Sequence, residues 1–147
     1  MGGIFAALKK KLGDGSPDLS LSIDTQPVPA TRPRVSRWGT YYAKTYRRWR
    51  DQAKRLLAEM PSPAEPITKP VAVLTEIVVQ QPRTSKLKWP KGDSDNFEKA
   101  AWDAVTNAGT FWKDDDQIIF NATWKRWAKK DETPGTRIHV FKLQESP

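Results

Sequence analysis

Seven carboxylates fall within residues 91–120 of this 147-residue chain: Asp93, Asp95, Glu98, Asp103, Asp114, Asp115 and Asp116. Three lysines oppose them there, Lys91, Lys99 and Lys113, which leaves a local net charge of −4. In an extended segment residues two apart point the same way, so Asp93 and Asp95 can converge on one point. Four-residue spacing stacks Asp95, Lys99 and Asp103 along one side of a helix. If the strand that follows Trp112-Lys113-Asp114-Asp115-Asp116-Gln117 packs beside the N-terminus of that helix, a third carboxylate reaches the first two. Three carboxylates without a histidine suit a hard cation, Mg²⁺ or Mn²⁺. Next to phosphate, such an ion polarises the ester, makes hydroxide from water and neutralises developing charge. A neighbouring lysine would donate to the phosphate, orient the water or stabilise the leaving oxygen. The same residues have a plainer account: helix N-caps, a solvated turn and a surface ion-pair ladder worth little. Spacing alone leaves both open.

The rest of the chain has the opposite charge. Lys plus Arg number 25 against 17 acids, a net charge of +8. Residues 31–60 carry Arg32, Arg34, Arg37, Lys44, Arg47, Arg48, Arg50, Lys54 and Arg55 against only Asp51 and Glu59, a net charge of +7. A basic domain of this size points to a polyanionic partner, usually nucleic acid. Carboxylates oppose such a partner unless a cation lies between them and the phosphates. There is no cysteine, which excludes disulfides, thiolate zinc sites and thiol catalysis, and a single histidine excludes His-based metal clusters. No run approaches the ~20 apolar residues of a membrane span.

The elements that must position the acids follow from periodicity. Residues 1–13 read as a short amphipathic arm, so the expected division is an arm over 1–16 and one domain over 17–147. Leu19, Leu21 and Ile23 alternate as a half-buried strand does. Residues 29–37 read as a Pro- and Arg-rich loop. Tyr42, Tyr46, Trp49, Ala53, Leu56 and Leu57 form one stripe of a helix from about 40 to 59. Residues 71–79, VAVLTEIVV, read as a central strand. A second helix spans about 96–108, with Asp95 as N-cap and Gly109 as stop. Ile118, Phe120, Ala122 and Trp124 share one face of a strand over 117–127, and residues 137–143 form a last strand antiparallel to it. The order β-α-β-α-β-β predicts a single α/β (α+β) domain with a mixed sheet of about four strands and two main helices.

The pattern Asp93-x-Asp95-Asn96-x-x-Lys99-Ala100-x-x-Asp103-Ala104-Val105, then Ala108-Gly109, then Trp112-x-Asp114-Asp115-x-Gln117, resembles the RusA-type Holliday junction resolvases. Upstream, Arg32-Pro33-Arg34-Val35, Gly39 and the Tyr/Arg-rich helix are also similar to members of that family. The resemblance implies a small homodimeric endonuclease that nicks four-way DNA junctions symmetrically with Mg²⁺, or Mn²⁺ in its place. It implies Asp93, Asp95 and Asp115 as metal ligands and Lys99 as the catalytic lysine. Asp115 is preferred to Asp114 because it stands two before Gln117. The resemblance also implies a cytoplasmic, phage- or prophage-encoded protein with no small-molecule cofactor.

Arg32, Arg34, Arg37, Lys44, Arg47, Arg48, Lys86, Lys88 and Lys91 are the candidate phosphate contacts, which give position but little sequence information. Trp38, Tyr41, Trp89 and Trp112 are candidates for stacking on an opened base, with core or dimer packing as the alternative. His139 has no acid or nucleophile near it in sequence and reads as structural. The rival functions are a broader branched-DNA or flap nuclease, a non-catalytic branched-DNA binder and an acidic-loop interaction module.

Overall fold

The computed structural model describes residues 16–143. The amphipathic segment 1–13 lies outside the described residues. Strand β1 (Leu19–Ile23) is followed by a small ribbon, β2 (Arg34–Ser36) and β3 (Gly39–Tyr41). Helix α1 (Lys44–Ala58), strand β4 (Val71–Val79), helix α2 (Ser94–Ala108), a 3₁₀ turn (Asp115–Gln117), β5 (Ile118–Trp127) and β6 (Gly135–Lys142) complete the order. Four strands form one mixed sheet in the order β1-β6-β4-β5, a single small α+β domain.

Strand β4 is central, as its unbroken apolar run requires. It pairs antiparallel with β6 and parallel with β5. A parallel pair cannot be closed by a hairpin, and α2 lies in the crossover from β4 to β5. Strand β6 runs antiparallel to β5, but β4 lies between them. Leu21, Ile23, Val71, Val73, Ile138 and Val140 of the sheet bury against Tyr46, Trp49, Ala53 and Leu57 of α1 and against Ala100, Ala101 and Val105 of α2. Both helices therefore cover the same face, and Phe111 and Trp112 fill the core beside them.

Three local expectations are corrected. The 29–37 loop contains strand β2, because Gly39 (φ +122°) lets the chain reverse and pair. That reversal delays α1 to Lys44. Helix α2 begins at Ser94 with Asp93, not Asp95, at the N-cap position, and Asp95 lies in its first turn. Gly109 (φ +74°) is the expected left-handed stop.

Among the described residues no helix covers the second face of the sheet. Phe120, Ala122 and Trp124 pair there with Ala72, Leu74 and Glu76, and Trp124 is 60% exposed. His139 is on this face opposite Leu74 and Ser20, and its Nδ1 lies 3.1 Å from Ser20 Oγ. No helix among the described residues is long and apolar enough to cross a membrane.

Candidate active site

Helix α2, the acidic turn before β5 and the 30–33 segment enclose a cleft of about 510 Å³. Each wall is set by contacts distant in sequence.

The first wall starts at Gly92, whose φ of +105° is a glycine conformation; a Cβ there would stand 3.0 Å from the Phe97 ring. Lys125 of β5 donates to the carbonyls of Pro90 (2.9 Å) and Gly92, and so fastens the loop that leads into Asp93. Asp93 is exposed, and its side chain makes no hydrogen bond to the helix it precedes. The carboxylate is thus not consumed in capping. One turn on, Thr123 of β5 donates its hydroxyl to Glu98. Asp95, Lys99 and Asp103 then line the cleft in succession, as their four-residue spacing requires.

The second wall is the turn at 114–117. Asp114 Oδ1 accepts from the Asp115 backbone N–H at 2.7 Å and caps the 3₁₀ turn. Gln117 accepts from the backbone N–H of Lys113 and Asp114, both at 2.8 Å. Its amide donates to the carbonyls of Ile67 (2.7 Å) and Lys69 (3.0 Å). Asp114 and Gln117 thereby hold the turn, and Asp115 is the acid of the three that lines the cleft. Burial, a hydrogen bond with Asp114 and the charges of Asp114, Asp103 and Asp116 push the Asp115 carboxyl above its ordinary pKa.

The third wall is basic and aromatic. The Ala30 N–H donates to the Asn96 carbonyl at 2.9 Å and draws Thr31, Arg32 and Pro33 over the acids. Tyr42 and Tyr46 complete it, with the Arg50 guanidinium 4.6 Å above the Tyr42 ring. Burial and the charge of Asp103 raise the Tyr46 phenol.

Of the sequence-predicted site residues, Asp95, Lys99, Asp115 and Arg32 line this one cleft. Asp93 stands at the N-cap position outside the lining, two residues before Asp95. Arg34 and Arg37 lie on the β2–β3 ribbon, and Lys44, Arg47 and Arg48 are exposed on α1. Arg47 also lines, with Arg50, Lys54 and Asn107, a second cavity of about 330 Å³ between the helices. Lys86, Lys88 and Lys91 are exposed on the loop before Asp93. Among the candidate stacking residues, Trp112 is fully buried and belongs to the core, whereas Trp38 and Trp89 are exposed.

Sequence reasoning put Asp103 in line with Asp95 and Lys99 but gave it no site role, and it left out Glu98 and the two tyrosines as lining residues. The turn spacing from Lys99 signals Asp103, and the tyrosines were accounted for as helix packing. The anchoring of Lys125 to Pro90 and Gly92, and of Gln117 to Ile67 and Lys69, carries no local signal, since these partners lie 33 to 50 residues away.

Among the described residues no three carboxylates close tightly enough to form a ready coordination sphere. The donor set nevertheless suits a hard divalent ion: all oxygen, no histidine, and in Asp115 a carboxylate whose charge is disfavoured by burial and by the neighbouring acids. Mg²⁺ commonly binds through one or two carboxylates, with water and substrate phosphate supplying the remainder.

A family model described as endodeoxyribonuclease RusA matches residues 24–141. That span contains every wall of the cleft. No curated protein matches the chain.

Proposed function

Because the chain belongs to the RusA endodeoxyribonuclease family, which resolves Holliday junctions in general, we propose that it cuts four-way DNA junctions by paired symmetric nicks at the Asp95–Lys99–Asp115 cleft. The observation that carries this is the meeting of Asp95, Lys99, Asp103 and Asp115 with Arg32 in one cleft. Acids and a basic DNA-holding segment are brought together although their charges are segregated in sequence.

Asp93, Asp95 and Asp115 would hold Mg²⁺, or Mn²⁺ in its place. When bound, the ion supplies polarisation of the scissile phosphate and a lowered pKa for the attacking water. Lys99, one turn from Asp95, is positioned to donate to a phosphate oxygen or to the leaving oxygen, where negative charge grows. Arg32 neutralises a phosphate beside the cut. Asp103 adds to the field that orients Lys99. Arg34, Arg37, Lys44, Arg47 and Arg48, with Lys86, Lys88 and Lys91, hold the flanking backbone.

Paired nicks require two sites related by a two-fold axis, hence a homodimer. The sheet face that no helix among the described residues covers is the surface we assign to it. Trp124 and Phe120 expose apolar area there beside the buried Ala72–Phe141–Leu143 cluster. Trp124→Glu is expected to convert a dimer into a monomer in sedimentation equilibrium while leaving the circular dichroism spectrum unchanged. A dimer that persists in the variant places the interface elsewhere.

The functional test uses an end-labelled four-way junction in Mg²⁺ or Mn²⁺, beside a linear duplex and a flap. Paired symmetric nicks on the junction, with the other substrates at least tenfold slower, are the expected result. Equal cutting of flaps favours a general branched-DNA nuclease. Junction binding without cutting in either metal makes the protein a DNA-binding module.

A further inference from the structure

We propose that the β2–β3 ribbon is a wedge whose tip residue, Trp38, stacks on an unpaired or splayed base at the branch point of the DNA. This rests on the endonuclease reading and adds a recognition element that is separate from the acidic cleft. Trp38 is 84% exposed and Val35 83%. Single exposed apolar residues are ordinary. The position of these two is not.

The ribbon is a separate two-stranded sheet, in which Arg34 faces Tyr41, Val35 faces Thr40 and Ser36 faces Gly39. Its turn is defined by side-chain bonds: the Trp38 N–H donates to Ser36 Oγ, and the Ser36 hydroxyl donates to the Gly39 carbonyl, each at 3.2 Å. Both roots of the ribbon belong to the cleft. Arg32 and Pro33 immediately before β2 line it, and so does Tyr42 immediately after β3. The ribbon therefore springs from the cleft wall itself. At ~3.3 Å per residue, three-residue strands carry the tip about 10 Å from the root. That is close to the ~8.5 Å depth of the DNA major groove, the distance from backbone to base edges.

The chemistry of the ribbon selects the occupant. No carboxylate occurs between Asp24 and Asp51, while Arg32, Arg34 and Arg37 flank the tip. The Arg37 guanidinium lies 4.9 Å over the Trp38 ring, so cation and aromatic face are presented together. A polyanion with accessible π-faces satisfies both. An intact duplex hides those faces in its stack, whereas a branch point offers them at little unstacking cost. Base–aromatic stacking is also sequence-tolerant, as recognition of shape requires.

The experiment uses a four-way junction with 2-aminopurine at the branch point and a fluorescein label on one arm. All proteins carry Asp115→Asn, so that no cutting occurs in Mg²⁺. With Trp38 present, binding is expected to change the 2-aminopurine emission at least twofold. With Trp38→Ala the emission change is lost and junction affinity falls about 5- to 150-fold, while affinity for linear duplex stays within twofold. Trp38→Phe is expected to restore most of both effects, because a ring is retained. The side chain is exposed, so neither variant threatens folding. Tight junction binding with the same 2-aminopurine response in Trp38→Ala overturns the wedge alone. Absence of junction preference in the Trp38-containing protein overturns the endonuclease reading, and the wedge with it. Binding to anionic vesicles that Trp38→Ala abolishes, with junction binding untouched, assigns the ribbon to membranes and overturns the proposal.

Discussion

Asp115→Asn is expected to lower junction cleavage at least ~1,000-fold while leaving junction affinity equal or tighter. Asparagine keeps the size of the side chain and removes its charge. Metal-assisted stabilisation of the transition state is worth several kcal/mol, and each ~1.4 kcal/mol lost is tenfold in rate. Affinity should not suffer, since one anionic group facing phosphate is removed. The variant is also expected to unfold at a higher temperature at pH 7. Burial and the neighbouring Asp114, Asp103 and Asp116 raise the Asp115 pKa in the folded chain. The folded state then binds the proton more tightly than the unfolded state, so ionisation at neutral pH costs stability. That stability returns as pH falls through the raised folded value toward the ordinary carboxylate value. Asparagine removes the cost at all pH values. Cleavage by Asp115→Asn within tenfold of wild type, in single-turnover assays, would remove this acid from the metal site.

Trp112→Ala is expected to carry the largest stability loss of any substitution described, about 3–5 kcal/mol. Small domains have only ~5–15 kcal/mol in total. Trp112 is fully buried in the main core, and its indole N–H donates to Thr106 Oγ1 at 2.8 Å. It also bridges in register to Ile67, next to the point where Gln117 fastens the acidic turn. Truncation leaves a cavity, an orphaned hydroxyl and a loosened turn. Urea unfolding should show a lower midpoint at an unchanged slope. Trp112→Phe fills most of the cavity and loses mainly the hydrogen bond, at about 1 kcal/mol plus a smaller packing loss. A loss below ~1 kcal/mol in Trp112→Ala would mean that the core reorganises freely around this position.

Much of the fold was legible because local physics and tertiary packing agree. The apolar run at 71–79 has no polar face to offer water, so it had to be central, and it is. The stripe from Tyr46 to Leu57 and the Ala-rich face of 97–105 could only be helices packed on a sheet. The short ribbon was not legible, because three-residue strands leave almost no periodicity. The exposure of Trp124 and Phe120 was hidden for another reason. Alternation says that residues share a face, not which face the helices will cover.

The sequence by itself determined the charge segregation, the order of the long strands and helices, the four-residue ladder of Asp95, Lys99 and Asp103, and the family pattern around Asp115. These depend on identity and spacing along the chain, which no folding step can alter. The tertiary structure put Asp115, the acid the family pattern favours, in the cleft lining, with Asp114 capping the turn and Asp116 exposed. It alone brought Arg32 over the acids through the bond from Ala30 to Asn96. It alone recruited Lys125 and Gln117 as the fasteners of the two acidic walls. The physical reason is common to the last two. A residue's role is set by the backbone groups that it or its neighbours meet, and in these fastening bonds those groups lie 33 to 66 residues away along the chain, where only sheet pairing and helix packing bring them within reach of a hydrogen bond.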